Sequence, residues 1–402
     1  MSSPLISVVI PTRNRAHLLE LALRSALEQQ GFSDYEVIVS DNSPKATAKV
    51  VADQWSGHDK LRYVNTGEDL DVYGSWNFAL EQASGRYTFL LADDDCLMPR
   101  GLATLARSLR RHKYPDFVGV ASCWYSHPSR QAPPVNALRF DHNWTEEGQR
   151  DPKELLQAFF SFRRPTFSPT YVMVSEGVRQ ELTRRDIKAY IPLYPDYGLQ
   201  AMALALADSA AVLREPTVVH GYAAESMGEQ AFGQRKQIAW DSVIGQDNLF
   251  QCSPLGGYYF INGWLETLLR VQALLPQETG ELVIGWMAFF EQYIANVFRE
   301  GLWRDVRPDF EALAAFLGTL DPQLKEAVMQ RNKSALECLY RVVEVKAWEK
   351  LGPEQAQWIG GQEHGFEDII GASAAAMKLY RAGRQREQMM AYLLGQDTQG
   401  KR

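Results

Sequence analysis

Residues 87–99 read YTFLLADDDCLMP, where five residues of strand character run directly into three consecutive aspartates. Asp93, Asp94 and Asp95 repel one another, and this stretch holds no lysine or arginine to neutralise them. In open α/β sheets, ligands bind outside the carboxyl ends of the strands. Clustered carboxylates at such an end suit a divalent cation with oxygen ligands, Mg²⁺ or Mn²⁺. A solvated acidic turn is the alternative; the preceding apolar strand and the motifs described next favour the cation.

Two further polar motifs follow predicted strands in the same part of the chain. PTRNR follows the first strand, and SDNS follows the second. Residues 1 to about 122 alternate strand and helix patterns at the spacing of βαβ units. This rhythm predicts an α/β fold with a mostly parallel sheet and helices on both faces. All three motifs are therefore expected to face one crevice. After SDNS, the pattern predicts a helix with Ser43 as its N-cap and Pro44 at its first position.

The composition is that of a globular protein and excludes several classes. The chain has 402 residues, 46% apolar and 23% charged, with a net charge of −7 that argues against nucleic acid as a partner. Its four cysteines form no CxxC pairs, so neither a disulfide framework nor a zinc site is expected. No apolar run reaches the roughly 18 residues that a transmembrane segment needs. We expect a cytoplasmic protein, with peripheral attachment to the inner face of the membrane left open.

A change in pattern near residue 229 predicts two domains. Residues 1–228 carry the α/β pattern, with a nucleotide-binding half at 1–122 and an acceptor half at 123–228. Residues 229–402 lose strand patterns and predict an all-helical C-terminal domain. Its aromatic residues recur at helical spacing, which favours a hydrophobic core or contacts in a homo-oligomer over a sugar-stacking surface.

The segments SVVIPTRNR, VIVSDNS, WNFALEQASGRYTFLLADDD and CLMP resemble successive blocks of the family 2 glycosyltransferases, which have the Rossmann-like GT-A fold. The resemblance covers residues 5–125 well and 170–226 more loosely. It implies inverting transfer of a sugar from a UDP- or dTDP-linked donor to a hydroxyl of a carbohydrate or other acceptor. It also implies Mn²⁺ or Mg²⁺ on the diphosphate.

The resemblance implies a role for individual residues. Asp41 would accept a hydrogen bond from the pyrimidine ring N–H, although capping of the following helix is the alternative. Asn77 would lie near the nucleotide, with helix-surface packing an equal alternative. Asp93 would approach the ribose and sugar. The full set of implied nucleotide-binding residues is Pro11, Thr12, Arg13, Asp41, Asn77, Asp93 and Asp94.

The metal and the general base are implied in the same way. Asp95 and His220 would ligate the metal, although Ala92 replaces the first aspartate of the commonest family pattern, which leaves open which aspartate is the ligand. Asp196 opens a predicted helix and would deprotonate the acceptor hydroxyl, with helix capping as the alternative. A structural role for His220 is likewise left open.

Two other functions remain open at this point. A sugar nucleotidyltransferase shares the general fold, but that chemistry usually shows a glycine-rich stretch near the first strand, and PTRNRAHLLE has no glycine. A nucleotide-sugar-binding module without turnover is the second alternative, favoured by Ala92. No early strand is followed by GxGxxG, which disfavours a dehydrogenase.

Overall fold

The computed structural model describes residues 3–129, 134–140, 147–163, 167–168, 170–226, 249–301, 307–333 and 357–360, together with Asp368, Ala372 and Ala376. Within these residues, a large mixed sheet is covered by helices, which confirms the α/β class. None of the described helices is long and apolar enough to span a membrane.

The N-terminal part forms a parallel sheet in the spatial order β3-β2-β1-β4. Its elements are β1 (Ile6–Thr12), α1 (Ala16–Leu27), β2 (Tyr35–Asp41), α2 (Lys49–Asp53), β3 (Leu61–Asn65), α3 (Val72–Glu81) and β4 (Tyr87–Leu90). Side chains of β1 alternate between the two faces, as the strand period requires. Val8 and Ile10 pack in the same core as Leu23 of α1, whereas Val9 packs against Ala79 of α3. Helices thus cover both faces, as predicted.

The sheet becomes mixed beyond β4, so the prediction of a mostly parallel sheet holds for its N-terminal part only. The following elements are β5 (Cys96–Leu97), α4 (Gly101–Arg111), β6 (Phe117–Ser126), β7 (Ala137–Phe140), β8 (Gly148–Arg150), α5 (Pro152–Phe160), β9 (Val172–Ser175), α6 (Glu176–Arg184), α7 (Pro195–Leu206) and β10 (Ala210–Tyr222). Strand β9 lies antiparallel between β4 and β6, while β10 runs parallel to β6. Tyr87 pairs with Ser175, so β9 begins at the carboxyl end of β4.

The helix predicted after SDNS begins later than expected. Helix α2 spans only Lys49–Asp53, and Ser43 does not cap it. The Ser43 hydroxyl accepts instead from the backbone N–H of Asn14, at 2.8 Å. A short turn at 43–46 takes the place of the first predicted helical turn. The carboxylate of Asp41, described below, holds this turn in place.

The C-terminal part is mainly helical, and the predicted boundary near residue 229 lies outside the described residues. Its elements are α8 (Phe260–Leu274), α9 (Pro276–Thr279), α10 (Trp286–Gly301), α11 (Arg307–Leu317), α12 (Pro322–Arg331) and β11 (Gln357–Gly360). Strand β11 corrects the prediction of an all-helical region, because it pairs antiparallel with β7 at the edge of the sheet. A strand of four residues is too short to show a periodic pattern in the sequence.

The C-terminal helices share one hydrophobic core with the α/β part. Trp264 and Leu268 of α8 are buried together with Phe159 of α5 and Leu199 of α7. The Trp264 ring lies 4.9 Å from that of Phe159. These contacts show that Trp264, one of the aromatic residues of the C-terminal part, packs in the hydrophobic core. Helix α8 therefore packs directly against α7, whose first turn contains Asp196.

A buried carboxylate fixes the chain that leads into α8. Glu266 is fully buried, and its oxygens accept hydrogen bonds from the backbone N–H groups of Gln251, Cys252 and Ser253. Arg270, one turn later, pairs with the same carboxylate at 2.7 Å. A buried charge is tolerated when it is paired and hydrogen-bonded in this way.

Candidate active site

The three polar motifs meet at one edge of the sheet, as the predicted topology requires. Thr12 at the end of β1 is the register partner of Asp41 at the end of β2. The Thr12 hydroxyl donates to Asp93 Oδ2 at 2.6 Å, which joins the first motif to the aspartates after β4. The structure therefore brings PTRNR, SDNS and ADDD together at one edge of the sheet.

Arg15 supplies the positive charge that residues 87–99 lack. Its Nη2 lies 2.7 Å from Asp93 Oδ1, and its Nη1 lies 3.9 Å from Asp94 Oδ2. Burial raises the pKa of Asp93 to about 6, against the opposing effect of the Arg15 charge. Arg15 was not predicted as this partner because it lies 78 residues before Asp93 in the sequence. The signal was present in PTRNR, whose last residue follows a neighbouring strand.

Asp94 is the member of the triplet with a free carboxylate oxygen. Its Oδ2 accepts a hydrogen bond from the Ser226 hydroxyl, while Oδ1 accepts none from the described residues. Its backbone carbonyl accepts from His127 Nε2 at 3.1 Å. A Cβ added to Gly221 would lie 1.8 Å from that carbonyl oxygen, so β10 can approach the triplet only with glycine there. Asp94 is thus held firmly and still has an oxygen available to a ligand.

Asp95 is directed into the protein, and its contacts do not fit the predicted role of metal ligand. Its Oδ2 accepts from the Tyr171 hydroxyl at 2.5 Å and from the Ala92 N–H at 3.2 Å. Its Oδ1 accepts from the Gly221 N–H at 2.8 Å. Burial, with a contribution from the charge of Asp94, raises the pKa of Asp95 well above its ordinary value. Protein donors therefore use both oxygens, and Asp95 ties the end of β4 to β9 and β10.

His220 lies beside the triplet in a cluster of aromatic rings. Its ring stacks on those of Trp124 and Tyr222, with centroid distances of 4.4 and 5.3 Å, and meets the Tyr171 ring edge-on at 5.4 Å. Its Nδ1 is buried and has no hydrogen-bond partner among the described residues. Burial lowers the pKa of His220 to about 4, so the imidazole is neutral at pH 7. A neutral ring with an unpartnered nitrogen is a competent metal ligand.

The described residues contain no group of three His, Cys, Asp or Glu side chains gathered around one point. Mg²⁺ and related cations on nucleotides commonly take one or two protein ligands, together with phosphates and waters. The donor atoms that such a sparse site would use here are the free oxygen of Asp94 and the orphaned nitrogen of His220. The carboxylate oxygen suits Mg²⁺ and Mn²⁺ alike, whereas an imidazole ligand favours a transition metal such as Mn²⁺ over Mg²⁺.

Asp41 is buried, and its carboxylate organises the loop after β2. Oδ1 accepts from the Ser43 N–H at 2.8 Å, while Oδ2 accepts from the Ala48 N–H at 3.1 Å and the Tyr63 hydroxyl at 2.9 Å. A carboxylate offers about four acceptor positions, so one is left for a further donor. The loop-holding role is observed, and recognition of a base stays a prediction.

The remaining predicted nucleotide residues differ in position. Pro11 is buried within β1, and exposed Arg13 pairs with Asp69 at 2.7 Å. Asn77 does not fit the predicted role near a nucleotide. Its amide donates to the Tyr73 and Tyr190 carbonyls at 2.8 Å, and its oxygen accepts from the Tyr190 N–H at 3.0 Å. Buried Asn77 thus connects α3 to the segment before α7 by hydrogen bonds.

Asp196 lies in the first turn of α7, where the predicted helix start is confirmed. Its Oδ1 accepts from the Tyr197 N–H at 3.0 Å, and its Oδ2 accepts from the Thr170 hydroxyl at 3.1 Å. Burial raises the pKa of Asp196 to about 6, although these hydrogen bonds lower it. A carboxylate with such a pKa is mostly ionised at pH 7 and still basic enough to accept a proton.

Two consecutive residues connect Asp196 to the aspartate triplet. Thr170 donates to Asp196, and the next residue, Tyr171, donates to Asp95. Both residues precede β9, which begins at the carboxyl end of β4. A base, a candidate cation site and two further polar strand ends therefore share one edge of the sheet.

Residues 7–182 match the family described as glycosyl transferase family 2. Among curated relatives, a 104-residue segment is 41% identical to GalNAc(5)-diNAcBac-PP-undecaprenol beta-1,3-glucosyltransferase of Campylobacter jejuni, covering 25% of this chain and 33% of that protein. A segment of 110 residues is 33% identical to glycosyltransferase AglE of Haloferax volcanii, covering 26% of this chain and 36% of that protein. Another of 104 residues is 31% identical to abequosyltransferase RfbV of Salmonella typhimurium, covering 25% and 31%. The matched segments thus span about a third of these relatives.

Solved structures with a similar course of the chain include a Staphylococcus aureus TarS fragment, residues 1–349, in complex with UDP-GlcNAc. The two chains are 14% identical, with a TM-score of 0.47 over 94% of this chain and 92% of that one. Mannosyltransferase PcManGT of Pyrobaculum calidifontis, in complex with GDP-Man and Mn²⁺, is 17% identical, with a TM-score of 0.39 over 87% and 89%. The family match covers both the strand-end motifs and the aspartate triplet. The family match therefore covers less than half of the 402-residue chain.

Proposed function

We propose that this protein is an inverting GT-A glycosyltransferase that moves a sugar from a UDP- or dTDP-linked donor to an acceptor hydroxyl. The single observation that carries the proposal is the position of Asp196. Asp196 lies in the first turn of α7, and burial raises the pKa of its carboxyl group to about 6. Thr170 donates a hydrogen bond to this carboxylate, and the next residue, Tyr171, donates one to Asp95 of the aspartate triplet. The named relatives that transfer sugars support the same chemistry.

The donor nucleotide would lie over the ends of β1 and β2. Thr12 and Asp41 are neighbours there, and the fourth acceptor position of Asp41 would receive the ring N–H of a pyrimidine. A purine presents a different donor pattern at that place. Ranking the affinities of UDP, dTDP, ADP and GDP for the wild-type protein tests this, and equal affinities would remove base recognition from the proposal.

Asp94 and His220 would hold the divalent cation, with Asp94 in place of Asp95 for the reasons given above. When bound, the cation supplies positive charge that offsets the charge developing on the departing diphosphate. Arg15 pairs with Asp93, while Oδ1 of Asp94 would be the oxygen offered to the cation. The surrounding rings of Trp124 and Tyr222 keep the His220 imidazole in one orientation.

In the reaction, the acceptor oxygen forms a bond to the anomeric carbon as the bond from that carbon to the diphosphate breaks. The acceptor proton passes to an Asp196 oxygen, and the nucleoside diphosphate leaves with the electron pair. Attack from the side opposite the leaving group inverts the anomeric configuration. Asp196 suits this step because its pKa of about 6 lies near neutral pH.

The products distinguish this proposal from its alternatives. A glycosyltransferase releases UDP or dTDP from the donor, whereas a nucleotidyltransferase running with a sugar phosphate releases pyrophosphate. A binding module releases neither. The first experiment is therefore a thermal-shift panel of nucleotide sugars with and without Mn²⁺, followed by a product assay on the donor that stabilises the protein. Stabilisation by no nucleotide sugar would refute the proposed function.

We further propose that the protein is cytoplasmic and attaches peripherally to the inner face of the membrane. Residues 96–115 contain five basic residues and no acidic one, in a chain whose net charge is −7. Arg100 and Arg110 are exposed there, while Arg107 and Arg111 pair with Glu215 and Glu147. Basic side chains near an anionic bilayer contribute about 1 kcal/mol each. Sedimentation with phosphatidylglycerol vesicles, but not with phosphatidylcholine vesicles, is expected; equal recovery with both would contradict it.

Assembly into a homo-oligomer through the C-terminal helices is also a proposal. The aromatic side chains that suggested it include several buried within this chain, such as Phe289 and Phe290. Light scattering of the full chain at two concentrations measures the mass directly. A monomer mass at both would remove assembly from the account.

A further inference from the structure

The segment 190–194, directly before Asp196, is held by side chains from two different parts of the protein. The side chains that hold it by hydrogen bonds include Tyr73 and Asn77 of α3 and Thr267 of α8. None of these contacts involves the strand-end motifs. They fix the backbone from which the α7 helix starts.

On the α8 side, the hydroxyl of Thr267 is fully used. It accepts from the backbone N–H groups of Leu193 at 3.3 Å and Tyr194 at 3.2 Å, and it donates to the Gly263 carbonyl at 2.9 Å. A hydroxyl has one donor and two acceptor positions, so its hydrogen-bonding capacity is satisfied. Thr267 is fully buried, and water cannot replace it without local opening.

Helix α8 also fits closely around the Tyr194 ring. A Cβ added to Gly263 would lie 2.6 Å from the Tyr194 hydroxyl oxygen, too close for any side chain. The Phe260 ring stacks on Tyr194 with a centroid distance of 5.3 Å. The same Phe260 meets the ring of Tyr197, on the other side of Asp196 in sequence, at 5.8 Å. Asp196 thus lies between two residues whose rings pack on α8.

On the α3 side, Asn77 makes a two-way bridge to the backbone of Tyr190, at 2.8 and 3.0 Å. The Tyr73 hydroxyl donates to the Leu193 carbonyl at 3.3 Å. Helix α3 therefore holds the segment at Tyr190 and Leu193, and helix α8 holds it at Leu193 and Tyr194.

From these contacts we infer that Thr267 is a positioning residue for the general base, and that helix α8 is part of the catalytic architecture. The inference rests on the proposed role of Asp196. It assigns to helix α8 a function different from assembly. A carboxylate that must meet an acceptor hydroxyl within hydrogen-bond reach tolerates little displacement, since a shift of about 1 Å lowers rates by as much as about 100-fold.

Thr267→Val tests the inference, because valine preserves the shape but offers no acceptor to the two N–H groups. We expect a kcat at least about 10-fold lower, with UDP affinity in Mn²⁺ unchanged within about two-fold. Backbone amides of residues 193 and 194 should exchange with solvent faster, measured by hydrogen exchange of the wild-type and variant proteins. Thr267→Ser restores the hydroxyl and should restore both kcat and slow exchange.

Thr279→Val is the matched control. Thr279 is equally buried in the C-terminal helices, but its hydroxyl donates only to the Leu275 carbonyl, at 2.6 Å. The kcat of the Thr279→Val protein should stay near the wild-type value. If Thr267→Val does not fold, Gly263→Ala probes the same contact by displacing the Tyr194 ring, and a lowered kcat with unchanged UDP affinity is expected again.

The outcomes distinguish failure of the role inferred for Thr267 from failure of the role proposed for Asp196. Wild-type kcat in Thr267→Val, or in a folded Gly263→Ala, overturns the inference, while an inactive Asp196→Asn protein leaves the proposed function in place. Equal losses of kcat in Thr267→Val and Thr279→Val also overturn it, because they indicate general destabilisation. An Asp196→Asn protein with normal turnover refutes the proposed function itself.

Discussion

Replacing Asp196 with asparagine should inactivate the enzyme and stabilise the fold at the same time. Asparagine keeps the shape of the side chain and can still accept from the Tyr197 N–H, but it cannot take up the acceptor proton. Loss of a general base lowers rates by about 10² to 10⁴. We therefore expect kcat for release of the nucleoside diphosphate to fall at least about 100-fold, with donor affinity nearly unchanged.

The gain in stability follows from the raised pKa of Asp196. The value of about 6 in the folded protein compares with about 3.9 in an unfolded chain, and each pKa unit corresponds to about 1.36 kcal/mol. Ionised Asp196 thus disfavours folding by up to about 3 kcal/mol, less whatever its partial exposure screens. Between about pH 4 and pH 6 the folded protein binds more protons than the unfolded one, so this contribution destabilises as pH rises.

Urea unfolding of wild type and Asp196→Asn at pH 4 and pH 7.5 measures this difference. The free energy of unfolding of Asp196→Asn should exceed that of the wild type by about 1–3 kcal/mol at pH 7.5 and by much less at pH 4. The difference depends on pH because only the wild-type carboxylate at position 196 titrates. Asp208→Asn is the matched control at the other end of α7, where the aspartate is exposed. A variant that is active, or equally stable relative to wild type at both pH values, would refute the reasoning.

Three further substitutions test the contacts around the site by urea unfolding. Arg15→Met removes the partner of buried Asp93 and should lower the free energy of unfolding by about 3 kcal/mol; an unchanged midpoint would mean the ion pair is not formed. Tyr171→Phe removes the hydroxyl that donates to Asp95 and should lower the free energy of unfolding by about 1–3 kcal/mol. A gain in stability would contradict the assigned hydrogen bond. Glu266→Gln weakens the acceptor of three backbone N–H groups and should lower it by at least about 2 kcal/mol; a neutral effect would show that water replaces the carboxylate.

The sequence predicted those features that depend on local pattern and chain topology. Apolar strands with polar ends fixed the α/β class, and parallel order brought Thr12, Asp41 and Asp93 together. The start of α7 at Asp196 was predictable because Pro and Asp favour the first helical turn.

What escaped prediction depends on partners distant in sequence. Asp95 and Asp94 look equivalent in the chain, but Tyr171 and Gly221, 76 and 126 residues away, turn Asp95 inward. Asn77 has the right position for a nucleotide ligand along the sequence, yet its partner is a backbone segment 113 residues later. A single sequence gives no periodic pattern for such contacts.

We propose above that Asp94 and a divalent cation hold the diphosphate of a nucleotide donor. Calorimetric titration of UDP into wild type and Asp94→Asn, each with Mn²⁺ and with chelator, tests it most directly. The account predicts that chelation weakens UDP binding to wild type at least about 10-fold, the effect of losing roughly 1.4 kcal/mol. It also predicts that Asp94→Asn binds UDP weakly whether or not Mn²⁺ is present. Wild-type affinity that ignores the chelator, or an Asp94→Asn protein with full Mn²⁺-dependent affinity, would contradict the claim.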